Sequence, residues 1–252
     1  MTEGLKLPHA PIIEAVVDIN CDLPPALDLA AIQDRAKQAF RERYPLARRQ
    51  MTQRHEFGTA ATEAGGVAVR QLVSGLQFLS ADEKQLVQIR PEGYTFNRLA
   101  PYGSLDEYLP DIEWSWSRFR ELTRPVQIRG IGLRYINRIL LPMDGGQIDL
   151  PAYLNVSPLV PDRETLEFVG FLNQSSAVEM ETGNHVNITL ATQPAEDERL
   201  PIIFDIEVST PSIRSLEEWQ EIREAIESLR RLKNRVFERT LTETCLNLFQ
   251  QP

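Results

Sequence analysis

The sequence contains few of the residues that usually build a metal site, a disulfide framework or a nucleophilic centre. Its two cysteines, Cys21 and Cys245, are too few for a disulfide framework, so we expect two reduced thiols in a cytoplasmic protein. Its three histidines, His9, His55 and His185, are far apart in the chain and form no pair with the spacing of metal ligands. No residue near Cys21 in the sequence offers a base for a thiol nucleophile.

Glycine-rich phosphate loops and serine nucleophile elbows are also missing from the sequence. Gly130 and Gly132 lie inside a predicted strand and fall short of a dinucleotide-binding fingerprint, so a bulge or close packing is their expected role. From the residues alone we therefore assign no cofactor, no metal ligand and no catalytic residue.

Long apolar runs are missing too. None reaches the ~18 residues that a membrane-spanning helix needs. The first residues lack the basic region of a signal peptide and carry Glu3 and Glu14. We therefore expect no membrane partner and a cytoplasmic location.

Lysine is scarce, and most of the positive charge is arginine. The net charge is −9 and the sequence pI is about 5.0, which opposes generic nucleic-acid binding because that binding depends on the neutralisation of phosphates by basic side chains. Arginine suits planar, bidentate recognition of carboxylates and phosphates better than lysine does. The four lysines are Lys6, Lys37, Lys84 and Lys233.

Alternating and helical patterns predict a mixture of strands and a few helices. Residues 11–20 alternate with period two, which predicts a strand with one buried face. Asp28 predicts the N-cap of a helix over 29–43, and capping-box patterns begin at Ser104 and Ser215. Pro110 predicts a kink or restart within the helix that follows Ser104. The further predicted strands are 67–79, 86–99 (with a turn at 91–93), 127–141, 165–172, 177–181, 186–192 and 202–209.

The order of these elements repeats. Each sequence half, 1–123 and 124–252, reads as a strand, a helix, several strands and a helix, and a repeat of this kind changes the fold prediction. Hairpin-length connections favour an α+β fold with antiparallel sheet. The predicted fold is therefore a tandem pseudo-duplicated pair of β-α-β(n)-α units, with a curved antiparallel sheet packed on long helices. In element order it resembles the TATA-binding-protein-like and helix-grip folds.

The sheet face opposite the apolar side chains is the candidate binding surface. Two interpretations stay open: the charged side chains form cross-strand ion pairs on a solvated face, or the arginines receive an anionic group while carboxylates hold a cation such as Mg²⁺. Acidic pairs such as Glu179 with Glu181 would project to one side of a strand. The ligand-binding candidates are Arg70, Arg90, Arg134, Arg138, Glu179, Glu181, Asp205 and Glu207.

Two tryptophans and one leucine are interface candidates. Trp116 shares a helix face with Phe119, whereas Trp114 falls on a different face, so one indole is expected in the core and the other at the surface. Leu229 lies on the apolar stripe of the long C-terminal helix and is the candidate contact for a homodimer.

Short motifs at both ends of the sequence carry a family resemblance. Pro11, Ile12, Glu14 and Ala15 open the chain, and a helix with Phe237 and a last turn capped by Thr242 closes it. In these motifs the sequence resembles a sporadically distributed bacterial family of uncharacterised proteins of about 250 residues. The resemblance implies no catalytic residue, and a patchy distribution would suit an accessory gene of mobile or defence loci.

The sequence therefore predicts a binding or interaction protein that uses the free sheet face, with a protein or an anionic small molecule as its partner. The first alternative is a metal-dependent phosphate-chemistry enzyme that resembles the triphosphate-tunnel family, although Gly183 stands where that family's motif has lysine. The second alternative is a structural homo-oligomer assembled through the C-terminal helix.

Overall fold

The fold is described from a computed structural model that covers the chain. It describes residues 7–57, 67–156, 165–166, 168–211 and 218–250, and within it the side chains of 53–57 and 67–72 are not described. The elements, in chain order, are β1 (Ile12–Asp22), α1 (Leu29–Phe40), β2 (Leu46–Phe57), β3 (Val67–Leu79), β4 (Gln85–Arg90), β5 (Gly93–Leu99), α2 (Leu105–Thr123), β6 (Gln127–Pro142), α3 (Leu150–Tyr153), β7 (Leu172–Val178), β8 (His185–Thr192), β9 (Arg199–Ser209), α4 (Trp219–Thr240) and α5 (Glu243–Asn247).

In the described ranges, nine strands form one antiparallel sheet, and with five helices this gives the α+β class that the sequence predicts. The strand order is β2-β3-β4-β5-β1-β6-β9-β8-β7, so β2 and β7 are the edges. None of the helices in the described part of the chain is long and apolar enough to cross a membrane.

The chain divides into two compact units, each made of segments that are discontinuous in sequence. Unit 1 comprises Met1–Val17, Arg98–Gly103 and Gly130–Pro252, and unit 2 comprises Asp18–Asn97 and Ser104–Arg129. These two units are defined by contacts between residues. The division of the sequence at residue 123 concerns a repeat in the order of the elements, and it stays a prediction.

In unit 2, aromatic rings attach α1 and α2 to one face of the sheet. Phe40 of α1 stacks on Phe78 of β3 with ring centroids 4.6 Å apart. Tyr94 of β5 makes edge contacts with Trp116 and Phe119 of α2, and its hydroxyl shares a 2.7 Å hydrogen bond with Ser115. Such pairs stabilise by about 0.5–1.5 kcal/mol beyond the burial of their area.

In unit 1, α4 packs on β9 by the same means. Phe237 stacks on Phe204 with ring centroids 5.7 Å apart, and Phe249, just beyond α5, packs on Phe237. Thr242 caps α5 by accepting a hydrogen bond from the Cys245 nitrogen, as its place before the last helical turn predicts. Cys245 itself is fully buried.

The strongly periodic segments were predicted well. The alternation over 11–20 corresponds to β1, and the predicted strand 127–141 corresponds to β6, whose apolar members are buried. Asp28 caps α1 by accepting a hydrogen bond from the Ala30 nitrogen at 2.9 Å. The turn predicted at 91–93 separates β4 from β5. The sequence pattern predicts strands from about Arg54 onward, and β2 already begins at Leu46.

The strands predicted over 165–172 and 177–181 are wrong. A single strand, β7, spans the interval between them, and it ends at Val178 because the hairpin turn begins at Glu179. The Glu179 nitrogen donates to the Asn184 carbonyl, and the Gly183 nitrogen donates to the Glu179 carbonyl, both at 2.8 Å. Gly183 takes the positive φ of 75° that this turn requires.

The predicted capping details also need correction. Ser104 is the N-cap of α2, but its hydroxyl makes no capping hydrogen bond, and α2 continues through Pro110 without a restart. The box predicted from Ser215 begins in residues 212–217, which lie outside the described part of the chain. The capping box present at α4 instead joins Glu218 to Glu221.

Gly93 is required where β5 approaches β1. It adopts a φ of +134°, and a Cβ at this position would overlap the carbonyl oxygen of Ile19 and lie 2.8 Å from the nitrogen of Cys21. Gly93→Ala should lower the free energy of unfolding by roughly 2–4 kcal/mol, measured by urea titration, because backbone strain and overlap add.

Gly145→Ala is the matched control for this substitution. Gly145 also has a positive φ, +56°, but nothing lies within 4 Å of its Cβ position. This variant should lose only about 1–2 kcal/mol. Equal losses in the two variants would contradict the close approach of the two strands.

Candidate functional site

In each unit the helices pack on one sheet face, and the charged and amide side chains of the strands lie mainly on the other. We call this second face the polar face. In unit 1 the residues of β6 that point to the helices, such as Leu133 and Ile139, are fully buried, whereas Arg134 on the opposite side is exposed. The alternation of side chains along a strand explains the separation.

A bidentate ion pair lies at the centre of the polar face of unit 1. The Nε and Nη2 atoms of Arg134 donate to the carboxylate of Asp205 at 2.9 and 2.5 Å. The side chain of Asp205 is 17% exposed and that of Arg134 is 48% exposed. The hydrogen bonds to Asp205 raise the pKa of Arg134 further above its ordinary value. Bidentate geometry fixes the direction of the guanidinium group.

Two more carboxylates act on the same arginine. Glu207 lies directly opposite Arg134 in the β6–β9 register, and the charges of both Glu207 and Glu14 contribute to its raised pKa. The Asn187 amide donates to Glu207 at 3.4 Å, and the Ser176 hydroxyl donates to Asn187 at 2.8 Å. One arginine is thus surrounded by three carboxylates on this part of the sheet.

Arg138 lies on the same face and is also engaged. Its Nε donates to the Gln193 side-chain oxygen at 3.1 Å, and its Nη2 lies 2.8 Å from the Glu196 carboxylate. Both partners belong to the connection between β8 and β9. The predicted candidates Arg134, Arg138 and Asp205 therefore share one face, but each arginine is paired with an acceptor.

In unit 2 the polar face has the same character. Arg90 forms a close ion pair with Asp18 of β1, and the Thr95 hydroxyl donates to the same Asp18 oxygen at 2.9 Å. Arg129 donates through Nε to Asp22 at 2.6 Å. Asp18 and Asp22 are even-numbered residues of β1, and they lie on the face opposite to its buried, odd-numbered residues.

A row of amides continues this face. The Gln77 amide donates to the Gln88 oxygen at 3.2 Å, and the Gln88 amide donates to the Asn97 oxygen at 3.1 Å. The row crosses β3, β4 and β5. Neutral amides satisfy one another across strands, which contributes about 0.2–1 kcal/mol per pair.

Glu179 and Glu181 lie in a hairpin turn, so they do not share the side of a strand. Glu179 accepts hydrogen bonds from Thr182 and forms an ion pair with Arg235 of α4. The hydrogen bond from Thr182, followed by the contacts with Arg235, lowers the pKa of Glu179 against the opposing effect of burial. Glu181 is exposed in the turn. Arg70 lies on β3, and its side chain falls outside the described part of the chain.

The three interface candidates have mainly packing roles. Trp116 is 2% exposed and Leu229 is fully buried. Trp114 lies partly exposed against Phe40 and Tyr44, with the guanidinium of Arg118 3.6 Å from its ring centroid. Since Leu229 is buried within unit 1, a substitution there would report on folding and not on assembly.

Metal ligands were not found in the described part of the chain. Within it, no group of three or more His, Cys, Asp and Glu side chains has the geometry to hold a metal ion. Cys21 and Cys245 are free and buried, and burial raises the pKa of each thiol to about 12.

Lys233 was not among the candidate residues that the sequence indicated, although its amine lies in an unusual environment. Its Nζ lies 4.0 Å from the ring centroid of Tyr135. Burial lowers the pKa of Lys233 to about 7, and the charge of Arg230 adds to the shift while Glu238 opposes it. The sequence did contain an indication of this environment. Position 233 lies four residues after Leu229 and seven after Ile226, which places it on the buried face of α4.

Lys233→Met should stabilise the protein most at low pH. The ordinary pKa of 10.5 lies above the folded value of about 7, so the unfolded chain binds the additional proton between these pH values. Below pH 7 the charged amine of Lys233 therefore destabilises the folded state to its full extent. This destabilisation decreases as the pH rises and is absent above pH 10.5. Urea unfolding at pH 6 should show a gain in the variant, below an upper limit of about 5 kcal/mol, and the gain should shrink towards pH 10.

The control for this measurement is Lys37→Met, at an exposed position of α1. It should change the free energy of unfolding by less than about 0.5 kcal/mol at any pH. A gain in Lys233→Met that stays constant from pH 6 to pH 10 would contradict the lowered pKa of Lys233.

Comparison with known proteins does not extend this description. No protein-family model matches the chain, and no curated protein matches it.

Proposed function

We propose that the chain is a binding protein that recognises a basic segment of a partner protein through the polar face of unit 1. The observation that carries the proposal is the cluster around Arg134, where Asp205 holds the guanidinium group in a bidentate pair while Glu207 and Glu14 add negative charge. At this point of the sheet three carboxylates surround one arginine, so negative charge is in excess.

The pairing of the arginines argues against an anionic small molecule as the ligand. An anion that bound Arg134 through Nε and Nη2, the two atoms that now donate to Asp205, would have to displace Asp205, whose side chain is 17% exposed. A partly buried carboxylate left without its partner costs several kcal/mol. Arg138 would likewise have to release Gln193 and Glu196 before its Nε and Nη2 could bind an anion.

A cationic partner meets no such cost. Lysine and arginine side chains can approach Glu207 on the exposed surface while the Arg134–Asp205 pair stays intact. Complementary charge of this kind contributes mainly to specificity and to the rate of association. The neutral side chains of Asn187 and Ser176, which form a chain with Glu207, offer further polar contacts beside it.

The phosphate-chemistry enzyme has less support. It would need Glu179 and Glu181 to act together on a cation near the arginines. Glu179 is instead held by Thr182 and Arg235 at the hairpin turn, and Glu181 points into solvent.

We also infer that the two sequence halves arose by duplication. In the first half the opening strand β1 neighbours the last strand β5, followed outwards by β4, β3 and β2. In the second half β6 neighbours its last strand β9, followed outwards by β8 and β7. The same order read outwards from the β1–β6 pair, with one strand fewer in the second half, supports two units of β-α-β(n)-α type sharing one antiparallel sheet.

Binding of a fluorescent octalysine peptide, followed by anisotropy at ~20 mM salt, tests the proposed function. The peptide should bind, and the affinity should fall as salt rises. Glu207→Lys should weaken the affinity by about fivefold or more, since it reverses a charge at the contact. Glu224→Lys, an equal change of net charge on the exposed surface of α4, should weaken it by less than about twofold.

Two results would overturn the proposal. Equal weakening by the two variants would mean that the peptide responds only to net charge. Alternatively, Mg²⁺ with a nucleoside triphosphate could raise the melting temperature, and loss of that effect in Arg134→Ala would favour the enzyme.

A further inference from the structure

In the part of the chain that the structure describes, the edge strand β7 has none of the usual protection against pairing. Its seven residues, Leu-Asn-Gln-Ser-Ser-Ala-Val, include no charge and no proline, and among the described strands only β8 pairs with it. Leu172 is 71% exposed and Val178 is 54% exposed. Natural proteins normally blunt such edges with charged side chains, proline or bulges.

The hydrogen-bonding pattern shows which backbone groups of β7 point away from the sheet. The Thr192 nitrogen donates to the Phe171 carbonyl at 3.1 Å, and the Glu179 nitrogen donates to the Asn184 carbonyl at 2.8 Å. In the regular register between these bonds, the odd-numbered residues exchange hydrogen bonds with β8, because bonded pairs alternate along an antiparallel ladder. The even-numbered residues Leu172, Gln174, Ser176 and Val178 therefore direct their N–H and C=O groups outwards.

We propose that a second copy of this chain pairs with this edge, antiparallel, about a twofold axis that passes through Ser175. In that register Leu172 lies opposite Val178 of the second copy, and Gln174 lies opposite Ser176. Each outward-directed N–H and C=O of the four even-numbered residues then meets a partner. An axis at any other residue of β7 would leave Leu172 or Val178 opposite a residue outside the strand of the second copy.

The side chains of β7 favour a second copy over an unrelated strand. The exposed apolar residues Leu172 and Val178 cover each other at both ends of the paired segment, and the amide of Gln174 meets the hydroxyl of Ser176 between them. Like charges directly opposite each other would destabilise the pair, and this register brings none together. The self-complementary arrangement is the one that an isologous twofold contact requires.

The charged groups next to β7 do not oppose this pairing. Glu179 follows the strand directly, but its carboxylate is engaged by Arg235 and Thr182 within the same chain. The other edge, β2, carries Arg48 and Arg49 with exposed side chains and is therefore the less suitable edge for pairing.

This inference goes beyond the proposed function and does not depend on it. A dimer through β7 would place two copies of the polar face of unit 1 in one continuous sheet. The even-numbered residues of β7 lie on that face, because Ser176 contacts Asn187 there.

Cysteine cross-linking tests the register. Ser175 of one copy would face Ser175 of the other as a non-hydrogen-bonded pair with Cα atoms about 4.5 Å apart, within reach of a disulfide. Ser175→Cys should therefore cross-link to a covalent dimer under mild oxidation. Asn173→Cys should not, since its copies would lie about 13 Å apart along the paired strands. The native thiols of Cys21 and Cys245 are buried.

Sedimentation equilibrium of the uncrosslinked protein tests the interface itself. The wild-type chain should be dimeric at ~50 µM, and Ser175→Lys, which brings two ammonium groups together, should raise the dissociation constant at least about tenfold. Gln174→Pro should do the same, because it removes an outward N–H that has no partner among the described residues of its own chain. Ser175→Thr is the matched neutral control and should leave the dimer intact.

Circular dichroism melting should show that the two weakening variants are folded. A wild-type monomer at ~50 µM, a dimer that both variants leave intact, or equal cross-linking at positions 173 and 175 would each overturn the proposal.

Discussion

The two-residue alternation of side chains along the strands is the constraint on which the rest of this structure depends. On β6 the odd-numbered residues Leu133, Tyr135 and Ile139 are buried beneath helices, and the even-numbered Arg134 and Arg138 lie on the opposite face. A register shift of one residue would exchange the two sets and bury the arginines. The aromatic contacts that attach the helices, such as Phe237 on Phe204 and Phe40 on Phe78, depend on the same alternation.

The polar face is organised by pairing of charges, and this limits what it can bind. Arg134 with Asp205, Arg138 with Glu196 and Arg90 with Asp18 each join a cation to an anion. Although one partner is partly buried in some of these pairs, the net contribution of each intact pair to the free energy of unfolding is small, about 0–1 kcal/mol. Their larger effect is to occupy the arginines, so that the carboxylate excess around Arg134 determines the sign of charge available to a partner.

The sequence could indicate which face each strand residue occupies, because period two is a local property. It placed Arg90, Arg134, Arg138, Asp205 and Glu207 on the face away from the helices. It could not indicate their partners, since Arg90 and Asp18 are 72 residues apart in the chain and pairing depends on strand order. Glu179 and Glu181 were misplaced because Ala177 to Glu181 has apolar alternation, while the turn that ends β7 depends on Thr182, Gly183 and Asn184.

Lys233 shows a second limit of local patterns. A lysine on an apolar stripe ordinarily extends its ammonium group into water, and only the position of Tyr135 on β6, nearly 100 residues earlier in the chain, shows that this amine lies against a ring. The edge character of β7 was equally hidden, because the order of strands in a sheet cannot be read from the pattern of any one of them.

The alternation of side chains between the two sheet faces can be measured directly by replacing each of four isoleucines with cysteine and labelling the new thiol. Ile136 and Ile203 have the parity of the polar face, whereas Ile139 and Ile202 are fully buried beneath helices. The two native thiols are buried and have pKa values raised to about 12, so their background reaction is slow. The account predicts that maleimide labels Cys introduced at Ile136 or Ile203 more than about a hundredfold faster than at Ile139 or Ile202. Similar rates at all four positions would contradict a sheet with one face covered by helices and the other open to solvent.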